Sequence, residues 1–487
     1  MSLSVALNTA QSSLFAAASK LSVSSRNIGA ANDPSATRKI ALTATTADGG
    51  TRVVSITRAS NNALYVRMLQ ANSDSAASSA MNDGLAGLQT TIGDPQSQTS
   101  PAARLATLSN ALTAAANTPD DPALGQAAVT AAQDLAQSLN DASAIVQKTR
   151  AEADGKIAAS VTHVNDLLQQ FATENDAVVN GSIRGADVTD AMDRRDAILT
   201  QISQEMGVST VSRAGNDIVI YTDSGATLFD RSPRTVTFQA SPALDAATTG
   251  KAVFVDGVAV TGADATMPIR SGAIAGLTKV RDQIAVTYQT QLDEVARGLV
   301  SAFAESDQTG GGAPDAAGLF TASRGSNAVP PVFVAGLAGT IAINAAVDPS
   351  RGGAPSRLRD GGMNGAAYIY NPTGAASYAG HLDGLTAALN ATQPFAAGAA
   401  LPGNASVSQF ATASVSWLEQ QRQSTTGNLD SQKAVLSQAT GALSSATGIN
   451  LDQEYANQLD LERSYQASAK LMGVVNQLYD ALLAVIR

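Results

Sequence analysis

Two stretches at opposite ends of the chain decide its fold. Residues 1–31 read MSLSVALNTAQSSLFAAASKLSVSSRNIGAA, and residues 448–487 read GINLDQEYANQLDLERSYQASAKLMGVVNQLYDALLAVIR. Apolar or small residues in the first stretch keep a heptad repeat, which is typical of a helix that pairs with another helix. The repeat consists of Leu3, Leu7, Ala10, Leu14, Ala17, Leu21, Ser24, Ile28 and Ala31.

The C-terminal stretch carries a second apolar stripe at helical spacing. Met472, Tyr479 and Ile486 widen this stripe by one neighbouring row. Because both ends of the chain present such stripes, we expect them to pair as a coiled coil and to form the assembly interface of the protein. The candidate interface residues are Leu3, Leu7, Leu14, Leu21, Ile28, Leu471, Val475, Leu478, Leu482 and Val485.

Pairing of the two terminal helices does not by itself offset the conformational entropy that is lost when they become ordered. Ordering about 65 residues costs more conformational entropy than about ten buried apolar side chains offset. We therefore expect both ends to be loose in the monomer and to become helical when many copies join. The alternative is that the two helices close an ordinary bundle, which is the commoner use of such stripes. The location of the stripes at the chain ends and the break at residues 32–35, Asn-Asp-Pro-Ser, favour assembly.

Composition and charge exclude several classes of protein. The chain of 487 residues is 44% hydrophobic but only 4% aromatic and 15% charged, which favours long helices packed through small side chains. Its net charge of −10 and isoelectric point near 4.8 argue against a nucleic-acid partner. Cysteine is absent, so disulfides and thiolate metal sites are excluded.

Neither a signal peptide nor a membrane span is visible in the sequence. The first positive charge is Lys20, and the residues before it are a heptad mixed with polar side chains instead of a long apolar run. No run approaches the ~18 apolar residues of a membrane span. We therefore expect no membrane insertion, and either a cytosolic protein or one exported without a cleaved signal.

The period of the apolar residues divides the remaining chain. A hairpin connector is expected within residues 40–56, and one helix of about 90 Å from Asp121-Pro122 to about Asn180. From Val208 the period changes to two, which predicts strands, and the helical period returns at Leu277. The predicted fold class is mainly α with a β-rich insertion. Its parts are an inner terminal coiled coil (1–34 and 446–487), a long-helix bundle (35–207, 270–306 and 405–445) and outer β-rich domains (208–269 and 307–404).

No catalytic constellation is visible. The two histidines, His163 and His381, lie far apart in the sequence, so a histidine metal site is not expected. No nucleophile elbow, phosphate-binding loop or dinucleotide fingerprint is present. We interpret Asp193 and Asp196, which flank two arginines, as surface ion pairs of a helix. The sequence therefore predicts no catalytic, cofactor-binding or metal-binding residues, and a protein that is not an enzyme.

Several short motifs together resemble the flagellar axial proteins. Asn27-Ile28 with residues 32–34, Asn-Asp-Pro, is similar to the motif that rod, hook and junction proteins share, although Ser35-Ala36 stands where Gly-Tyr is typical. The middle and the C-terminus most closely resemble the FlgK family of hook-associated proteins. These similarities lie in residues 117–120, 133–136, 164–168, 195–196, 281–282, 448–454 and 465–470.

The resemblance implies a structural protein of the bacterial flagellum, outside the cell, at the junction between hook and filament. It implies export by the flagellar type III apparatus, self-association in a helical ring, and the hook protein and second junction protein as axial neighbours. It also implies an export chaperone that binds the C-terminal helix, at about residues 451–487. The alternatives are another axial protein, namely the hook protein or the second junction protein, or a secreted coiled-coil adhesin.

Overall fold

Helices make up most of the protein. A computed structural model describes residues 3–47, 49–92 and 99–486, with the backbone alone for residues 485 and 486. The helices are α1 (Leu3–Ala30), α2 (Asn62–Gln89), α3 (Pro101–Asn117), α4 (Pro122–Ile183), α5 (Thr189–Glu205), α6 (Ala273–Lys279), α7 (Ala285–Ala302), α8 (Arg357–Asp360), α9 (Gly380–Asn390), α10 (Val407–Thr447) and α11 (Leu451–Ile486).

The strands are short and antiparallel. β1 and β2 form the predicted hairpin connector, β3 to β6 form a four-stranded sheet, and β7 to β9 form a three-stranded sheet. Their bounds are β1 (Lys39–Thr45), β2 (Thr51–Arg58), β3 (Val208–Ser212), β4 (Ile218–Thr222), β5 (Thr227–Asp230), β6 (Ser232–Pro233), β7 (Val236–Thr237), β8 (Phe254–Val255) and β9 (Val258–Ala259). Asp256 and Gly257, both with positive φ, make the tight turn that an Asp-Gly pair favours.

Two helices begin at a capping residue followed by proline, and the second of these starts is the one predicted above. The Ser100 hydroxyl accepts a hydrogen bond from the Ala103 N–H, and the Asp121 carboxylate accepts one from the Ala123 N–H at 2.8 Å. A proline follows each cap, where its missing N–H costs nothing. The second start opens α4, which is unbroken for 62 residues and therefore about 93 Å long.

This long helix connects two hydrophobic cores. Its first half, with Leu135, Leu139 and Val146, packs in a core with α3 and α7. Its second half, with Val164 and Phe171, packs in a core with α5 and the sheets. The Phe171 ring meets the edge of a phenylalanine ring of β5 at 5.0 Å between centroids. One rigid helix therefore holds the helical and β-rich parts in a single structure.

A buried ionic layer separates the two cores on α4. The Arg281 guanidinium, between α6 and α7, donates to the carboxylate of Asp154 at 2.6 Å, and both side chains are buried. The Arg150 guanidinium donates to the backbone carbonyl oxygens of Arg281, Asp245 and Thr248. These bonds satisfy two arginines away from water and tie the loop before β8 to α4.

Residues 307–404 are less strand-rich than the sequence predicts. They contain α8, α9 and four strands of two residues each, which are β10 (Phe320–Thr321), β11 (Ala342–Ile343), β12 (Gln393–Pro394) and β13 (Asn404–Ala405). Phe320 and Leu389 join the same core as α3, α4 and α7. Buried carboxylates replace strand ladders here: Asp293 accepts from two backbone N–H groups and Glu305 from two more. Apolar residues between Gly and Pro turns therefore occur in two settings. Some lie in strands, and others lie in loops that pack into the core.

The two histidines occupy different environments. His163 is exposed on α4, as predicted for a helix-surface residue. His381 on α9 is buried and stacks on the Tyr370 ring at 3.9 Å between centroids, and burial lowers its pKa to about 4.

We expect the His381 imidazole to titrate with a midpoint near pH 4 in ¹H NMR spectra. Because the folded pKa lies below the ordinary value, the stability contributed by this neutral residue is lost as pH falls from about 6.5 towards 4. A His163→Gln variant assigns the two imidazole signals. A His381 midpoint near its ordinary value would contradict the buried placement.

Candidate assembly interface

The N-terminal heptad forms α1, and its smallest residues are the most buried. Ala10, Ala17 and Ser24 are buried in the structure. Because small side chains let helix axes approach closely, the larger residues lie at the edges of the contact. The predicted interface residues Leu3, Leu7, Leu14, Leu21 and Ile28 are accordingly half-buried.

The two terminal helices pair, as predicted, and their pairing is antiparallel. The Ser24 hydroxyl near the end of α1 donates to the carboxylate of Glu454 at 2.8 Å in the first turn of α11. The Arg38 guanidinium also donates to Glu454 at 2.7 Å, and this carboxylate is buried. Continuing the same register places Leu3 opposite Val475, so the last turns of α11 extend past the first described residue of α1.

The predicted C-terminal stripe is divided between two surfaces. Val475 is 5% exposed against α1, whereas Leu471, Leu478 and Leu482 are 50%, 49% and 56% exposed. The side chain of Val485 lies outside the described residues. The contact with α1 follows a heptad row on α11, and the three leucines lie on the neighbouring face. That row consists of Glu454, Leu461, Ser468 and Val475.

A free apolar surface therefore remains on α11. Val474 is also exposed and stands among the leucines at helical spacing. We call Leu471, Val474, Leu478 and Leu482 the C-terminal apolar face. Exposed apolar rows of this kind mark interaction sites, since they are costly to leave in water. The structure has both terminal helices formed and paired within one chain; their looseness before assembly stays a prediction.

The hairpin β1–β2 lies along α1 and fixes the end of the terminal pair. The Asn27 side chain donates to the Lys39 carbonyl and accepts from its N–H, both at 2.9 Å. At the other end of the hairpin, the Thr51 N–H donates to the Ser12 hydroxyl. Two polar contacts thus hold the hairpin beside α1 over about four helical turns.

The interpretation of Asp193 and Asp196 as surface ion pairs is wrong. Asp193 is buried and accepts from Lys39 at 2.8 Å and from Arg58 at 2.9 Å, which are the first residue of β1 and the last of β2. Asp196 pairs with the same Arg58. Of the two arginines between them, Arg195 turns inward, where it donates to the Asn175 side chain and to a backbone carbonyl. This cluster joins α5 to the hairpin and hence to α1.

Ionisation in this cluster follows burial and pairing. Burial raises the pKa of Asp196, although Arg58 and Arg195 oppose the shift. Burial would also raise the pKa of Asp190, but its bonds to Lys39 and Arg26 hold that pKa below the ordinary value. Asp190 therefore contributes stability above its unfolded pKa, and that stability is lost as pH falls through the folded value.

Sequence reasoning missed the partners of this cluster because they lie about 150 residues away along the chain. The available indication was that Lys39 and Arg58 stand at matched ends of a predicted hairpin whose two strands contain no acidic residue. Among the residues that the structure describes, no group of three or more His, Asp or Glu side chains is arranged to hold a metal ion. Within the same residues, no helix has the length and apolar character to cross a membrane.

Comparisons with known proteins match the long-helix region and the C-terminal helix of this chain. A family model of the helical domain of flagellar hook-associated protein FlgK matches residues 85–320, which include α3 to α7. A family model of the C-terminal part of the flagellar basal body rod proteins FlgEFG matches residues 439–485, which include most of α11. Both models describe flagellar proteins, and the chain is accordingly of the flagellar axial class.

Within this class, residues 85–320 are similar to the FlgK family of hook-associated proteins, as the sequence motifs predict. A search of curated proteins finds no match. A solved structure of the flagellar hook junction protein FlgK from Burkholderia pseudomallei is similar at 22% identity and a TM-score of 0.42. That match covers 53% of this chain and 46% of the other, so this chain spans less than half of that protein.

Proposed function

We propose that this chain is a structural, non-enzymatic subunit of the junction between the flagellar hook and filament. The observation that supports this most directly is the match of residues 85–320 to the FlgK helical domain. The C-terminal apolar face adds to it, since a subunit of a larger assembly needs a surface that its own chain leaves uncovered.

In this proposal, copies of the chain form a helical ring through their terminal helices. The interface residues predicted on α1 and α11 contribute to contacts between copies, with α1 and α11 innermost and the sheets β3 to β9 outermost. The hook protein and the second junction protein are the axial neighbours. The half-buried leucines of α1 and the exposed leucines of α11 support this arrangement, because both retain apolar surface for a further helix.

We also propose export through the flagellar type III apparatus and a final location on the external flagellum. Before export, residues 451–487 bind a chaperone that covers the C-terminal apolar face. An exposed apolar face of this kind favours aggregation in the cytosol. The same surface would therefore bind the chaperone before export and neighbouring copies after it.

The proposal predicts that cells lacking this protein carry complete hooks without filaments. Without junction subunits the filament protein has no template, so electron microscopy should show bare hooks and the culture medium should contain flagellin. Missing hooks would instead indicate a hook or rod protein, and normal filaments would overturn the flagellar role. Restoring the gene is the control, since it should return filaments to the same cells.

A further inference from the structure

The outward face of the hairpin β1–β2 carries apolar side chains that nothing in the described chain covers. Ile40 and Leu42 on β1 are 38% and 45% exposed, and Val54 on β2 is 50% exposed. The inward face is different, since Lys39 is buried and Arg58 largely buried there against α5. A two-stranded sheet is marginal by itself, so its exposed apolar face is an unusual surface to leave in water.

Both strands of this hairpin are also edge strands, and a β-bulge at Leu42/Thr43 interrupts their pairing. Proteins commonly blunt such edges with charged side chains or proline. Here Arg52 is the sole charged residue of the two strands apart from Lys39 and Arg58, and neither strand contains proline. The hairpin therefore has the features of a surface that is covered in the working state of the protein.

We propose that a second copy of this chain covers the hairpin, using its own C-terminal apolar face. This inference rests on the proposed function, and it names the partner surface for that assembly. The two surfaces match in character, because each presents exposed apolar side chains in a row. They also match in length: β1 spans about 23 Å and the row from Leu471 to Leu482 about 17 Å.

The fold prevents one chain from making this contact with itself. The hairpin lies beside α1 between Ser12 and Asn27. The C-terminal apolar face begins near the level of Leu7 and continues past the first described residue of α1. The two surfaces are therefore displaced along the coil by about 25–30 Å. A second copy shifted by that distance brings its α11 beside the hairpin of the first.

Such a contact joins two different surfaces, and each copy keeps one of each free. Contacts of this heterologous kind add further copies in an open or helical series instead of closing a dimer. The proposed contact thus explains how one chain can supply both halves of a repeating interface. The hairpin is then an assembly element as well as a connector.

The absence of cysteine allows a direct test by disulfide cross-linking. Ser55 lies opposite Leu42 on the exposed face of the hairpin, and Ala481 is exposed beside the C-terminal apolar face. Full-length chains carrying Ser55→Cys and Ala481→Cys are purified separately, mixed and oxidised. We expect mixed cross-linked dimers severalfold in excess of dimers of either single variant.

Two matched variants control the test. Ile183 at the end of α4 is 76% exposed, and Ile183→Cys in place of Ser55→Cys should abolish the excess. Adding Leu42→Asp to the Ser55→Cys chain should remove the mixed dimer, whereas Leu42→Val should retain it. Equal yields of all dimers, or a full yield with Ile183→Cys, would overturn the proposed contact.

Complementation in cells separates this inference from the proposed function. If cells lacking the protein have bare hooks and an exported Leu42→Asp chain restores filaments, the hairpin contact fails and the junction function stands. If those cells keep normal filaments, the junction function fails whatever the cross-linking shows. We expect Leu42→Asp to be exported yet to leave hooks bare, and Ile183→Asp to restore filaments.

Discussion

A chain in which Leu478 and Leu482 are replaced by Asp should fold normally and fail to assemble. Both side chains are about half exposed in the single chain, so their loss removes little internal packing. In the assembly each would bury its remaining apolar area, which stabilises the contact by about half of the roughly 1.5–3 kcal/mol that full burial gives. The substitution also places two carboxylates in that contact, where leaving water costs more than any such gain. Thermal unfolding followed by circular dichroism tests folding, and electron microscopy of complemented cells tests incorporation.

The matched control uses the opposite side of the same helix. Ala469→Asp with Asn476→Asp adds the same charge at two exposed positions of α11 away from the C-terminal apolar face. This variant should assemble, which separates loss of the apolar face from added charge on the helix. Incorporation of the leucine double variant at the level of the natural chain would count against the role assigned to α11.

Replacing Asp193 by Ala should loosen the hairpin from α5. The change leaves Lys39 and Arg58 without their shared carboxylate, and both side chains are largely buried. Breaking a buried ion pair from one side costs about 3–5 kcal/mol. The remaining pairs of Lys39 with Asp190 and of Arg58 with Asp196 place the expected cost at the lower end of that range. Amide hydrogen exchange over residues 39–58 should then speed up by about a hundredfold or more, if local opening controls the exchange.

Asp190, one helical turn before Asp193, is the control for this prediction. It pairs with the same Lys39, but its side chain is 57% exposed. Ion pairs exposed to this degree contribute about 0–1 kcal/mol, so Asp190→Ala should change the exchange of the hairpin little. If both variants behaved alike, the buried cluster would not be what holds the hairpin.

Local chemistry made much of the fold predictable from sequence. Ser100-Pro101 and Asp121-Pro122 predict helix starts because the capping oxygen and the proline act on their immediate neighbours. The Asp256-Gly257 turn is predictable for the same reason, since positive φ is a property of the residues themselves. The uninterrupted apolar row of α4 also needed no distant partner to be recognised.

Predictions were less accurate for residues whose partners lie far away in the sequence. Asp193 and Asp196 sit in a pattern that favours surface pairing, but the hairpin brings two cations from β1 and β2 against them. Residues 307–404 alternate apolar residues with turns, yet the carboxylates of Asp293 and Glu305 hold their backbone in loops. Neither outcome is encoded in neighbouring residues.

The sequence by itself determined that this protein has two apolar terminal helices, a long central rod and a β-rich insertion. It determined this because helical period, caps and turns act over a few residues. Only the tertiary structure decided which apolar residues remain free. The register between α1 and α11 buries Val475 and leaves Leu471, Leu478 and Leu482 exposed, and the hairpin turns Leu42 outward. Burial depends on what packs against each face, and that is a property of the whole fold.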